Sequence, residues 1–156
     1  MKRITFILLA LVSGTAFAQS ATANAAADIV SPLQIEATQA LNFGKVSNNA
    51  AGSVVITADG LVSGLPQIGT TTPVPATFNV TAADGFTYSV TLPGTVVLTN
   101  SNSDEITVNN FVDNAGATPE GTGSAQTIGV GATLNVAATQ KTGNYTGTFD
   151  VSVDYN

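Results

Sequence analysis

The only adjacent pair of acidic residues is Asp104-Glu105, and with it the options for acid–base chemistry nearly end. The sequence contains no histidine and no cysteine. Ser-His-Asp and Cys-His nucleophile systems are therefore excluded, and so are the usual zinc and copper ligand sets. A glycosidase needs two carboxyls facing each other across a cleft. Asp104-Glu105 follows Asn100-Ser-Asn-Ser103, which is turn composition, so its expected place is a solvated loop. There is no G-x-x-x-x-G-K-[ST] loop to cradle a phosphate. No catalytic residue and no cofactor is expected.

Calcium needs only oxygen ligands, six to eight of them. The nearest approach to such a set is Asn102, Asp104 and Glu105, with Asn100 beside them and Asp59, Asp84 and Asp113 standing singly. No D-x-[DN]-x-[DN]-G loop is present, and turn chemistry explains the same residues without a metal. No metal site is expected. Asn79-Val-Thr81 and Asn144-Tyr-Thr146 fit the glycosylation acceptor pattern, which a threonine-rich chain produces by chance. Tyr88, Tyr145 and Tyr155 are able to stack on a sugar, but Tyr145 and Tyr155 share the apolar parity of their segment, which favours core packing.

The elements that would position any site are strands. Gly143, Tyr145, Gly147, Phe149, Val151, Val153 and Tyr155 alternate with Asn144, Thr146, Thr148, Asp150, Ser152 and Asp154. Strict period two puts one face on a core and the other in water, over a strand of up to ~40 Å. Ile128, Val130, Ala132, Leu134 and Val136 form a second such face, and Phe86, Tyr88, Val90 and Leu92 a third. Asp84-Gly85, between this last run and Phe78-x-Val80, is a hairpin signal. Further strands are expected over 29–38, 41–46, 53–57, 95–99 and 105–112. Pro73 and Pro75 point to a loop or sheet edge. No window has helical period with caps. Eight or nine short strands imply an all-β, immunoglobulin-like (pilin-like) antiparallel β-sandwich, with a small closed barrel as the alternative. A lipid-facing barrel lacks its aromatic girdles here, with no Trp and three Tyr.

Lys2 and Arg3, the apolar run 4–12 and Ala16-Phe-Ala18 read as a signal peptide cleaved before Gln19. The run is too short to span a bilayer. The expected organisation is a signal peptide over 1–18, a flexible leader over 19–27 and one sandwich domain over 28–156. Export to the periplasm, cell surface or medium follows. After cleavage only Lys45 and Lys141 remain against ten carboxylates, a net charge of −8. Such a surface repels phosphate backbones and anionic lipids, so neither nucleic acid nor a membrane is an expected partner. The absence of cysteine leaves stability to packing and strand pairing.

Three stretches also carry a family resemblance: Leu41-Asn-Phe-Gly44 after Ile35-Glu-Ala-Thr38, Phe86-Thr-Tyr-Ser-Val-Thr-Leu-Pro93, and the alternating segment from Gly143 to Tyr155. Together they resemble the exported bacterial family known as domain of unknown function 4402. More loosely, they are similar to spore-coat-protein-U and chaperone–usher fimbrial subunits. A penultimate aromatic, Tyr155, with Gly143 fourteenth from the C-terminus is similar to the signature that fimbrial subunits present to a periplasmic chaperone. The resemblance implies a non-catalytic structural subunit of the envelope, assembled by β-strand complementation with copies of itself or related subunits and helped by a chaperone. Residues Gly143 to Tyr155 would be its assembly strand. Many such subunits carry a disulfide that this chain lacks. Donor strands carry large apolar residues, and Gln19–Ala27 offers alanines. Ile29, Leu33 and Ile35 fit either a donor or the domain's own first strand. The competing expectation is a self-complete secreted binding module, adhesin-like, for a glycan or a protein.

Overall fold

Period-two alternation, rich in valine and threonine, makes strands throughout. The computed structural model describes residues 19–156; the expected signal peptide lies outside the described residues. Among the described residues nine strands form: β1 (Gln34–Gln39), β2 (Gly52–Ile56), β3 (Val62–Gly64), β4 (Ala76–Thr81), β5 (Tyr88–Thr91), β6 (Thr95–Thr99), β7 (Glu105–Asp113), β8 (Ala125–Val136) and β9 (Ser152–Tyr155). All of their pairings are antiparallel. Seven strands make one sheet, and β5 and β9 make a second. The architecture is an all-β antiparallel sandwich, as the alternation predicts. No helix among the described residues is long and apolar enough to cross a membrane.

The longest strand, β8, organises the large sheet. Along one edge its first half pairs with β4 and its second half with β2, so β4 and β2 lie end to end. Along the other edge it pairs with β7, which pairs in turn with β6. β1 borders β4, and β3 borders β2. The even residues Ile128 to Val136 form the expected apolar face, all of them buried. Alternation alone puts the opposite face in water, yet burial runs unbroken from Ile128 to Leu134. Glycine is the reason. On leaving the sheet after Ile56, the chain crosses directly over Gly131 and Gly129. A Cβ at either position would collide with the backbone of Ile56, Thr57 or Ala58. Two absent side chains let β8 be covered on both faces.

The hydrophobic interior falls into two clusters. One gathers Phe78, Val80, Tyr88, Ile128 and Val130, under β5 and β9. The other gathers Phe43, Val54, Ile56, Ile106, Val108, Leu134 and Val136. Phe111 packs against both. A bulge puts it there: Asn110 takes φ 51° where the β7–β8 register shifts, so parity flips, Phe111 turns inward and Val112 is left exposed.

Four expectations change: the strand expected over 29–38 begins only at Gln34, the stretch 41–46 makes isolated bridges at Asn42 and Val46 rather than a strand, and two further differences concern pairing. Asp84-Gly85 does form a turn, but not a hairpin, because β4 lies in the large sheet and β5 in the small one. Residues 119–121 take the pairing instead: Tyr88 N donates to Pro119 O (2.9 Å) and Gly121 N to Phe86 O (2.8 Å). The C-terminal segment is also not one continuous strand. It makes an isolated bridge between Thr146 and Thr99, loses its partner over 147–151, and becomes regular only at β9. Its alternation survives: Tyr145, Phe149, Val151, Val153 and Tyr155 are half-buried while their even neighbours are exposed.

Candidate functional site: a cleft between two straps

Two stretches of chain run in opposite directions across the interior face of the large sheet. The first continues from β1 through Leu41 to Asn48, touching the sheet's loops by bridges between Asn42 and Val74 and between Val46 and Gln67. The second is the C-terminal segment from Gln140 to Tyr155. They meet at both ends. At one end Asn48 Nδ2 donates to Gln140 O (2.7 Å). At the other, Tyr155 Oη donates to Ser31 O (3.1 Å) and accepts from Ala83 N (2.8 Å).

Between these ends the straps part. A cleft of about 770 Å³ opens, floored by Leu98, Ile106, Val108, Phe111, Leu134 and Val136. It is walled by residues 41–48 on one side and 140–149 on the other. A smaller cleft of about 410 Å³ continues it between residues 37–41 and 147–149, over Ala76 and Phe78. The two share Leu41, Gly147 and Phe149, so they form one groove along the interstrap gap. Among the described residues, 147–151 find no backbone partner and β9 pairs on one edge only. The groove thus combines an apolar floor with a strand edge whose N–H and C=O groups are unpaired.

Of the expected assembly residues, Gly143, Tyr145, Gly147 and Phe149 line the C-terminal wall, and Val151, Val153 and Tyr155 lie beyond it. Gly143 packs against the Asn100 side chain, and Gly147 against Leu98 and the Val97 carbonyl; a Cβ at either would come within 3 Å of those side chains. Tyr145 turns its ring to the cleft floor, while its Oη donates to Lys141 O (2.7 Å) and accepts from Gln140 Nε2 (2.8 Å). Phe149 sits edge-on to Phe78 (6.3 Å between centroids) and tilted on Phe111 (5.1 Å). Val151 and Val153 pack on the second cluster, and Tyr155 stands edge-on to Phe86 (6.0 Å).

The calcium candidates serve a turn. Asn100 is buried; its Oδ1 accepts from Asn102 N and Asp104 N (both 2.9 Å), and its Nδ2 donates to Asp104 Oδ2 (2.9 Å). Glu105 opens β7. Among the described residues no group of three or more acidic side chains gathers as a metal would require.

Sequence reasoning missed the placement of the lysines. Lys45 and Lys141 are the only cationic side chains of residues 19–156, and both line the one cleft. Their scarcity was the readable signal; their sharing of one cleft required the antiparallel straps.

The family model described as a domain of unknown function, DUF4402, matches residues 33–155. The chain belongs to the DUF4402 family. The match spans both straps and the whole sheet between them, so the groove lies within the DUF4402 domain itself. No curated protein matches the chain, and no solved structure does.

Proposed function

We propose that this DUF4402 protein is a non-catalytic structural subunit of the bacterial envelope, exported and assembled by β-strand complementation in the manner of fimbrial subunits. The observation that carries the reading is the groove. Its floor is core-like apolar surface, and its C-terminal wall offers an unpaired strand edge over residues 147–151. Main-chain bonds to such an edge supply affinity, and alternate side chains on an apolar floor supply specificity. Gly143, Tyr145, Gly147 and Phe149 of the expected assembly strand line this wall, which supports the reading.

A second reading is a self-complete binding module. The cleft volume lies within the range of small-ligand sites, and Asn42, Asn144 and Gln140 add polar groups to its walls. The two readings separate in the sheared surface fraction of cells producing the full chain, blotted with and without boiling. A ladder of multiples that collapses on boiling supports strand-exchanged polymers. A single monomer band in both lanes overturns them and leaves the binding module.

A further inference from the structure

Resting on the binding-module reading of the groove, we infer that it holds a single-chain amphiphile with an anionic head, a free fatty acid, whose carboxylate is met by lysine and whose tail lies on the aliphatic floor.

Charge sets the head. Residues 19–156 carry ten carboxylates and two lysines. Among the described residues both lysines line the larger cleft, no carboxylate lines either cleft, and the smaller cleft has no charged wall. A cleft lined by one sign of charge, with apolar walls, focuses its field on ligands of the opposite sign. The cleft's sign is thus opposite to that of the acidic surface around it. Lys45 and Lys141 are both exposed, and either one alone can supply the counter-charge.

The walls set the tail. Leu98, Ile106, Val108, Leu134 and Val136 are aliphatic and offer no hydrogen bond. The polar side chains beside them are engaged within the protein. Tyr145 Oη donates to Lys141 O and accepts from Gln140 Nε2, which also donates to Glu105 O (2.9 Å). Asn42 Oδ1 accepts from Gly44 N (2.8 Å). A sugar laid over this floor would leave hydroxyls without partners, which is costly. Methylenes lose nothing there. The length also fits. One acyl chain spans half of a bilayer's hydrocarbon core, about 15 Å. Residues 141–149, if fully extended, run about 30 Å along the groove. With the head in the larger cleft, the tail passes Leu41, Gly147 and Phe149, which both clefts share, toward Phe78. The acidic exterior repels anionic bilayers, so the source is the free acid and not a membrane.

The test uses protein from cells producing the full chain, stripped of lipid and titrated calorimetrically with octanoate, decanoate and dodecanoate below their micellar concentrations. Affinity should rise about fourfold per buried methylene, roughly fifteenfold from each acid to the next. Lys45→Gln with Lys141→Gln should weaken decanoate about fivefold, as loss of an exposed ion pair does at most, and leave decanol unchanged. Val96→Asp, on the cleft wall, should weaken both, decanoate the more, while its urea transition stays cooperative. Equal binding of decanoate and decanol by the wild type overturns the anionic head. Affinity that ignores chain length, or that Val96→Asp leaves untouched, overturns the groove as the site. Retention on anionic phospholipid vesicles without binding of the free acids overturns the source. No binding of any acid by a protein that runs as a monomer overturns the ligand class while the binding module stands. A heat-labile ladder overturns the binding module itself, and this ligand with it.

Discussion

The two halves of the interior are built from similar residues and finished differently. Around Val80, Tyr88 and Val130 the large sheet is roofed by β5 and β9, and these three side chains are at most 1% accessible. Around Val108 and Leu134 the same sheet is crossed only by two straps, and Leu98 of the sheet and Tyr145 of the strap above it stay half-exposed. Both halves present alternating apolar residues, so hydrophobicity does not distinguish them. What differs is whether the second layer has a strand to put there. β9 has one partner where an interior strand has two, and its upstream continuation over 147–151 has none. The open half lacks the paired roof that covers the closed one.

The sharpest way to break this comparison is to place one charge in each half. Val130 is fully buried in β8, between Ala76 and Asp113 on the neighbouring strands. Val130→Asp should cost about 4–5 kcal/mol or more, enough to abolish a cooperative urea transition, because the carboxylate has neither water nor a partner. Val96, half-buried on the cleft wall, should tolerate the same change for about 1 kcal/mol, since water enters beside it. Equal losses would mean that the cleft is closed in solution.

A smaller effect tests whether the C-terminal segment keeps its parity where its pairing is lost. Val151→Asp, half-buried against the roofed cluster, should lose about 2 kcal/mol in chemical denaturation, and Ser152→Asp no more than about 0.5 kcal/mol. Similar values would show that the unpaired stretch has no fixed face.

How much of this was legible follows from what is local. The alternation of β8 and of residues 143–155 is a property of neighbouring residues, and both faces were readable. The turn at Asp84-Gly85 was readable too. Its role was not, because residues 119–121, some 35 positions away, decide which strand pairs. Gly129 and Gly131 looked like an exposed polar face, since nothing local announces that residues 56–58 will cross them. The cleft was least legible: Lys45 and Lys141 are almost a hundred residues apart, and only antiparallel straps bring both to one cleft. The oxygen-rich run Asn100–Glu105 was read through local turn chemistry, and the Asn100 side chain does close that turn.

The gentlest probe asks whether the roof over the closed half stays shut. Tyr88 belongs to that roof, buried and paired in register with Tyr155. Burial raises its phenol pKa above the usual 10.0, with a smaller push from the Asp113 carboxylate. Above pH 10 the unfolded chain releases this proton while the folded one keeps it, so the folded state binds more protons and stability falls as pH rises. Tyr88's contribution is fully present below pH 10 and is lost progressively until the folded-state pKa is passed. The slope is at most about 1.4 kcal/mol per pH unit, one proton's worth. Urea unfolding at pH 9, 10 and 11 should therefore show a steeper decline for the wild type than for Tyr88→Phe, the difference isolating this phenol from every other group that titrates there. If the slopes coincide, and the phenolate absorbance that Tyr88→Phe removes has its midpoint in the folded protein near pH 10, then water reaches Tyr88. The roofed half would then be as open as the half that carries the groove.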